Sequence, residues 1–218
     1  MPLNENLSQE AKDILAQKVM VPLVGISGIG KNALMLEVRK LPDFNQASGF
    51  TTRPKRNPNE DAYREHYTDI NLEDLLTATG DEELVQYAVH SQIGTVYGTM
   101  LKDYSGTYNV KDVLSNEVDT FRKIGFKAVA AIAVVAEPQQ WEHRFATNNF
   151  TLQEQIARIK EGIGSLAWAL DQGTNISWLV NQDQRLKLGA RQIMAIAQGK
   201  DAQYPVSAIN IGARLLKH

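Results

Sequence analysis

The chain has 218 residues, with 23 lysines and arginines against 25 aspartates and glutamates, a formal net charge of −2 and a pI near 6.1. That balance supplies no global field to drive it onto nucleic acid or an anionic membrane, so neither is expected as a partner. It contains no cysteine, which excludes disulfides and thiolate metal sites. Its four histidines, His66, His90, His143 and His218, have no metal-ligand spacing, so no metal site is expected from them. The length suits one α/β domain with a sizeable core and smaller inserted lobes. Residues 1–10 lack the layout of a signal peptide. The longest apolar stretch, Ala128 to Ala136, is too short to cross a bilayer. A soluble cytoplasmic protein is the expectation.

Residues 5–18 read as an amphipathic helix, with Leu7, Ala11, Ile14 and Leu15 on one face. A buried strand follows over 20–25, and Met20-Val21-Pro22-Leu23-Val24 runs straight into Gly25-Ile26-Ser27-Gly28-Ile29-Gly30-Lys31. Gly25, Gly30 and Lys31 hold the spacing G-x-x-x-x-G-K of a phosphate-binding loop. Glycines let the backbone close round a phosphate with its N–H groups inward. The following helix, Lys31 to about Arg39, adds its positive end, and Lys31 adds a full charge. The hydroxyl that should follow the lysine and hold magnesium is replaced by Asn32, and Ala33 comes next. A dinucleotide fingerprint also fits Gly28-x-Gly30-x-x-Ala33, but it wants an acidic residue about 20 positions on. Gln46-Ala47-Ser48-Gly49-Phe50 offers none. A serine-hydrolase elbow fails because Ile29 stands where its second glycine belongs.

Beyond Pro42, residues 50–69 are polar and loop-rich, with Arg53, Lys55, Arg56 and Arg64 among prolines and asparagines. A short helix is expected over 71–79, a strand over 83–90 and a turn at Val96-Tyr97-Gly98-Thr99. Ala128 to Ala136 reads as one buried strand, β-branched and uncharged, as a parallel sheet covered on both faces requires. A helix over 154–170, a strand over 176–180 and a closing helix over 183–198 complete the pattern. Strands alternating with helices point to an α/β fold with a parallel sheet.

The loop, then Thr51-Thr52-Arg53-Pro54-Lys55-Arg56, Tyr67, Gln86-Tyr87-Ala88, Tyr97-Gly98-Thr99 and the late Val180-Asn181-Gln182-Asp183 stand in the order of one family. Together they resemble guanylate kinase, over about residues 20–200. The resemblance implies a P-loop-type parallel sheet flanked by helices, with an inserted acceptor-binding lobe and a lid. It implies that Arg53, Arg56, Tyr67 and Tyr97 clamp the phosphate of GMP, arginine because its planar fork takes phosphate oxygens in pairs. Thr99 and Gln86 would then read the guanine. Gly25, Ser27, Gly28, Ile29, Gly30, Lys31, Asn32 and Ala33 would hold ATP, with Asn181 near the adenine. Lys31, Arg144 and Arg158 would neutralise charge as the phosphoryl group moves. Magnesium would be held mainly by phosphates and water.

The departures from the family cluster. Besides Asn32, the serine two residues before T-T-R becomes Gly49, the base-reading glutamate becomes Gln86, and a third lid arginine becomes Asn148. The D-I-D segment aligns with Asn109-Val110-Lys111, which replaces two acids by an amide and a cation. The expected organisation is an N-terminal helix (1–18), a core (19–44, 105–140 and 161–218), an acceptor lobe (45–104) and a lid (141–160). The expected activity is transfer of the ATP γ-phosphoryl to GMP. The alternatives are a kinase of the same fold for another phosphorylated acceptor, and an inactive binding module.

Overall fold

The computed structural model describes residues 7–52, 54–55, 65–66, 72–89, 96–148, 150–200 and 206–217. The first helix, α1 (Gln9–Leu15), is capped by Ser8, whose hydroxyl accepts from the backbone N–H of Ala11. It is shorter than the 5–18 expected, because the cap sets its start and the backbone turns at Ala16. Leu7, Ala11 and Leu15 are buried.

Strand β1 (Val19–Val24) is buried along its whole length and forms the axis of the larger sheet. Helix α2 (Lys31–Val38) follows, then β2 (Phe44–Gln46), β7 (Tyr108–Asp112), α4 (Ser115–Ile124), β8 (Ala128–Val129), β9 (Ile132–Val135), α5 (Pro138–Ala146), α6 (Leu152–Asp171), β10 (Ser177–Val180), α7 (Leu186–Ala197) and α8 (Val206–Lys217). The strand order is β10-β9-β1-β7-β2, with β8 also on β1, and every pairing is parallel. Helices α2 and α7 pack on each other, while α4 and α8 pack on α6. Both groups rest on the sheet. This is an α/β fold with a central parallel sheet flanked by helices.

The expected single strand at 128–136 is two strands. Val19 pairs with Ala128 and Leu23 with Ile132 in one continuous register, so the interruption falls opposite Val21 and Pro22. Val19 N–H goes to Thr107 O on the β7 side, whereas Met20 O accepts from Ala130 on the other side. Even-numbered residues of β1 therefore serve β8 and β9. Pro22 is one of them and has no N–H to give, so the ladder lapses there.

Between β2 and β7 lies a second, smaller sheet. It comprises β3 (Phe50–Thr51), β4 (Glu65–His66), β5 (Leu84–Val89) and β6 (Val96–Met100), in the order β4-β3-β6-β5. Helix α3 (Leu72–Thr77) belongs to this insertion. Phe50, Leu75, Leu84, Val96 and Met100 form a core of their own. The turn expected at 96–99 is strand β6. Gly98 serves close packing rather than a reversal, since a Cβ there would lie 2.7 Å from the Phe50 ring and 2.6 Å from the Gln86 carbonyl oxygen.

The helix expected to close the chain, 183–198, is α7 and is followed by α8. Ala208, Ile211, Gly212 and Leu215 form the buried face of α8. Gly212 lies against the ring of Trp178.

Candidate functional site

The loop between β1 and α2 rests directly on β9, because a Cβ on Gly25 would stand 2.5 Å from the Val134 carbonyl oxygen. Gly30 caps α2 at φ +94, a left-handed conformation that favours glycine. A Cβ there would stand 2.3 Å from Asn181 Nδ2. That amide donates to the Ile29 carbonyl at 2.8 Å, so a side chain at position 30 would displace it. The first backbone bond of α2 is Leu34 N–H to Gly30 O. The N–H groups of Lys31, Asn32 and Ala33 thus have no partner inside the helix.

The Lys31 ammonium folds back over this loop. It donates to the carbonyls of Gly25 and Ile26 and lies 3.5 Å from Asp112 Oδ1 at the end of β7. The loop is also held from outside. Trp141 Nε1 donates to Ser27 O at 2.9 Å, and Arg144 Nη1 to Ile29 O at 2.9 Å. Arg144 additionally pairs with Asp183 and reaches the Asn181 carbonyl. Arg158 Nη1 donates to Ser27 Oγ at 3.4 Å, its guanidinium 4.3 Å above the Phe150 ring. Glu161, further along α6, faces Lys31 and Arg158 electrostatically.

A cleft of about 620 Å³ opens here, lined by residues 27–33, Met35, Gln46, Ala47, Ser48, Lys111, Asp112, Arg144, Asn148, Phe150 and Arg158. Four cationic side chains, Lys31, Lys111, Arg144 and Arg158, share this lining with one carboxylate, Asp112. Such a concave, cation-rich wall at a helix N-terminus is suited to a polyphosphate.

The structure brings together the expected Ser27, Gly28, Ile29, Gly30, Lys31, Asn32, Ala33, Arg144 and Arg158. Asn181 is 3 % exposed, with its side-chain amide committed to Ile29. Of the expected acceptor set, Arg53, Arg56 and Tyr67 lie outside the described residues. Tyr97 is half-buried on β6. Gln86 and Thr99 are register partners across β5 and β6, both buried. The Thr99 hydroxyl shares a 2.7 Å hydrogen bond with Tyr104, whose own hydroxyl is pushed to a higher pKa by burial. Gln86 Oε1 is buried without a hydrogen-bond partner among the described residues.

Gly49 and Lys111, two of the departures, meet. Gly49 has φ +68, and a Cβ on it would lie 2.5 Å from Gly98 O and 2.7 Å from Lys111 Nζ. The lysine thus occupies space that a side chain at position 49 would need. Asp103 faces the same point, accepting from Gly49 N at 3.2 Å and Met100 N at 2.8 Å. Burial raises its pKa, against the opposing pull of those bonds and of Lys111. Asn109 is used structurally, donating to Gly106 O at 2.9 Å and accepting from Gly106 N.

Asp112, Gln46 and Trp141 were not singled out from the sequence. Asp112 carried a signal, being an acid at the end of the strand whose preceding residues align with an acidic motif. Trp141 carried none, since its indole N–H meets the loop 114 residues away.

No family model matches the chain, and no curated protein matches it. Among solved structures it is similar to a guanylate kinase from Anaplasma phagocytophilum. The two are 15% identical over 85% of this chain and 86% of that one, with a TM-score of 0.45.

Proposed function

We propose that this protein is a phosphotransferase of guanylate kinase type, which moves the γ-phosphoryl group of ATP to a phosphorylated acceptor, GMP being the first candidate. The carrying observation is the cleft at the start of α2, where Lys31, Lys111, Arg144 and Arg158 converge with Asp112.

The chemistry follows from charge. An oxygen of the acceptor phosphate attacks the γ-phosphorus, the bond from that phosphorus to the β–γ bridging oxygen breaks, and ADP departs with the electron pair. The protein has little covalent work and mostly positions and neutralises. The N–H groups of Lys31, Asn32 and Ala33 receive phosphate oxygens. Lys31 exchanges its loop carbonyls for the outer phosphates, and Arg158 stabilises charge on the transferring group. Asp112 would hold magnesium, as the one carboxylate that the described residues contribute to the cleft lining. The position normally given to a hydroxyl ligand is Asn32. Magnesium, when bound, supplies further neutralisation of the phosphates. Residues 45–104 serve as the acceptor lobe and 141–160 as a lid that excludes water. The orphan Gln86 Oε1 supports a base with an N–H to donate.

The second reading, another phosphorylated acceptor, is favoured by Thr99, whose hydroxyl is already paired with Tyr104. A coupled ADP-release assay with ATP, magnesium and GMP, beside AMP, UMP, CMP, dGMP and a no-acceptor control, decides between them. Turnover with GMP alone supports the first reading. Silence with every nucleotide sinks it.

A further inference from the structure

The carbonyls of the phosphate loop are divided between two sets of donors. The Lys31 ammonium takes those of Gly25 and Ile26. Ser27 O instead accepts from the indole N–H of Trp141 at 2.9 Å. Trp141 belongs to the core and is 8 % exposed, whereas Ser27 and Gly28 line the cleft. The Ser27–Gly28 peptide is trans, so its carbonyl and its N–H point in opposite directions. With the carbonyl held against an indole on the core side, the Gly28 N–H is turned to the cleft. That N–H has no hydrogen-bond partner among the described residues. Further along, the Ile29 carbonyl receives both Asn181 and Arg144. The Ser27 carbonyl has Trp141 alone among the described residues. The indole is itself held by Phe145, with ring centroids 5.4 Å apart, and Phe145 lies against Gly28.

We infer that Trp141 is a positioning residue for phosphate binding, its indole N–H fixing the Ser27–Gly28 peptide in the orientation that offers the Gly28 N–H to a phosphate oxygen. This rests on the phosphotransferase reading above, in which the loop receives the phosphates of ATP. Glycine at position 28, at φ +82, leaves the peptide free to turn over. Turning over withdraws the N–H and presents a carbonyl oxygen to the anion. The Lys31 ammonium, already bonded to two loop carbonyls, favours that reversal, and Trp141 opposes it. One neutral bond behind the loop thus decides whether a backbone group attracts or repels the ligand.

The test separates the donor from the bulk of the ring. Trp141→Phe keeps an aromatic ring and loses the N–H. Trp141→His loses the benzo ring, yet its Nε2 stands in the same place relative to Cγ as the indole nitrogen and can donate. The full chain and both variants are titrated with inorganic triphosphate by calorimetry at about pH 8, where an imidazole is neutral, beside thermal melts. Trp141→Phe is expected to bind about five- to tenfold more weakly than wild type, the effect of one lost hydrogen bond. Trp141→His is expected to bind within about threefold of wild type, although its Tm is the lower of the two. A merely structural ring predicts the reverse order of binding. Wild-type affinity in Trp141→Phe overturns the inference, as does a histidine variant that binds no more tightly than the phenylalanine variant. Absence of triphosphate binding by the wild type overturns it too. If one variant does not fold, the other decides by the same limits. Turnover of the wild type with ATP and GMP is measured in parallel, and the expected binding pattern without turnover upholds this inference and instead removes the proposed reaction.

Discussion

Asp112 Oδ1 stands 3.5 Å from the ammonium of Lys31, joining the end of β7 to the first residue of α2. The acid at the end of β7 and the lysine that opens the helix after the neighbouring strand β1 thus meet at the carboxyl ends of one parallel sheet, where α/β sheets bind ligands. On the proposed function, replacing Lys31 by Met would remove a charged donor to phosphate, a contact worth about 1.5–3 kcal/mol. ATP affinity is expected to fall about 10- to 150-fold in a nucleotide-binding titration. Asp112→Asn is expected to lower phosphoryl transfer about a hundredfold with magnesium present, while ATP binding without magnesium is kept or strengthened. Wild-type turnover by that variant would remove Asp112 from the reaction.

Gly49→Ser restores the residue that the family resemblance calls for, yet it is expected to destabilise the protein. The new Cβ would meet Gly98 O at 2.5 Å, with φ at +68. Strain of this kind costs about 1–3 kcal/mol. Adding Lys111→Ala relieves only the contact with the flexible ammonium and leaves the clash with the backbone. A double variant as unstable as Gly49→Ser alone, by denaturant melts, is the expected outcome. Full rescue would show that the ammonium, not the backbone, sets the limit.

Glu83 is 5 % exposed and accepts from both the backbone N–H and the hydroxyl of Ser8. Ser8→Ala removes the hydroxyl from Glu83 and the cap from α1. The expected loss is about 1–2 kcal/mol, a fall in Tm of about 2–8 °C for a chain of this size. Ser8→Thr keeps the hydroxyl and should retain most of that stability. An unchanged melt in the alanine variant would rule the contact out as a stabilising one.

Asp103 carries a testable pH dependence. Burial holds its carboxyl above the ordinary value of 3.8, so the folded state binds its proton more tightly than the unfolded chain does. The contribution is therefore fully present below the unfolded value and is lost as pH rises through the raised folded value. Asp103→Asn removes this term. The Tm difference between wild type and variant should move against the wild type as pH climbs from 3.8 through the folded value. A difference that stays flat with pH would contradict the shifted carboxyl.

The parallel core was legible because its signals are local. Val21 to Val24 is a run of apolar residues ending in glycine, and Lys31 follows at the spacing of a phosphate loop. What escaped were features set by contacts distant in the chain. The interruption at Ala130–Ala131 depends on Pro22 in a neighbouring strand, so the apolar run alone reads as one strand. Tyr97-Gly98-Thr99 looks like a turn until Phe50 is known to lie against Gly98. Helix α8 did carry a readable pattern, Ala208, Ile211, Gly212 and Leu215, beyond the helix taken to end the fold. In the site, the loop was visible and Asn181 was expected beside it, though not its bond to Ile29 across 152 residues, whereas Trp141 reaches the loop across 114 residues with no signal in the sequence.

The contact between Ser8 and Glu83 spans 75 residues of chain and fastens the beginning of α1 to the base of the smaller sheet. Pulling Ser8 away from Glu83 would therefore loosen the tie between α1 and the base of that sheet. A purification tag placed before Ser8 is not a neutral handle, and enzymatic comparisons belong on protein from which it has been removed.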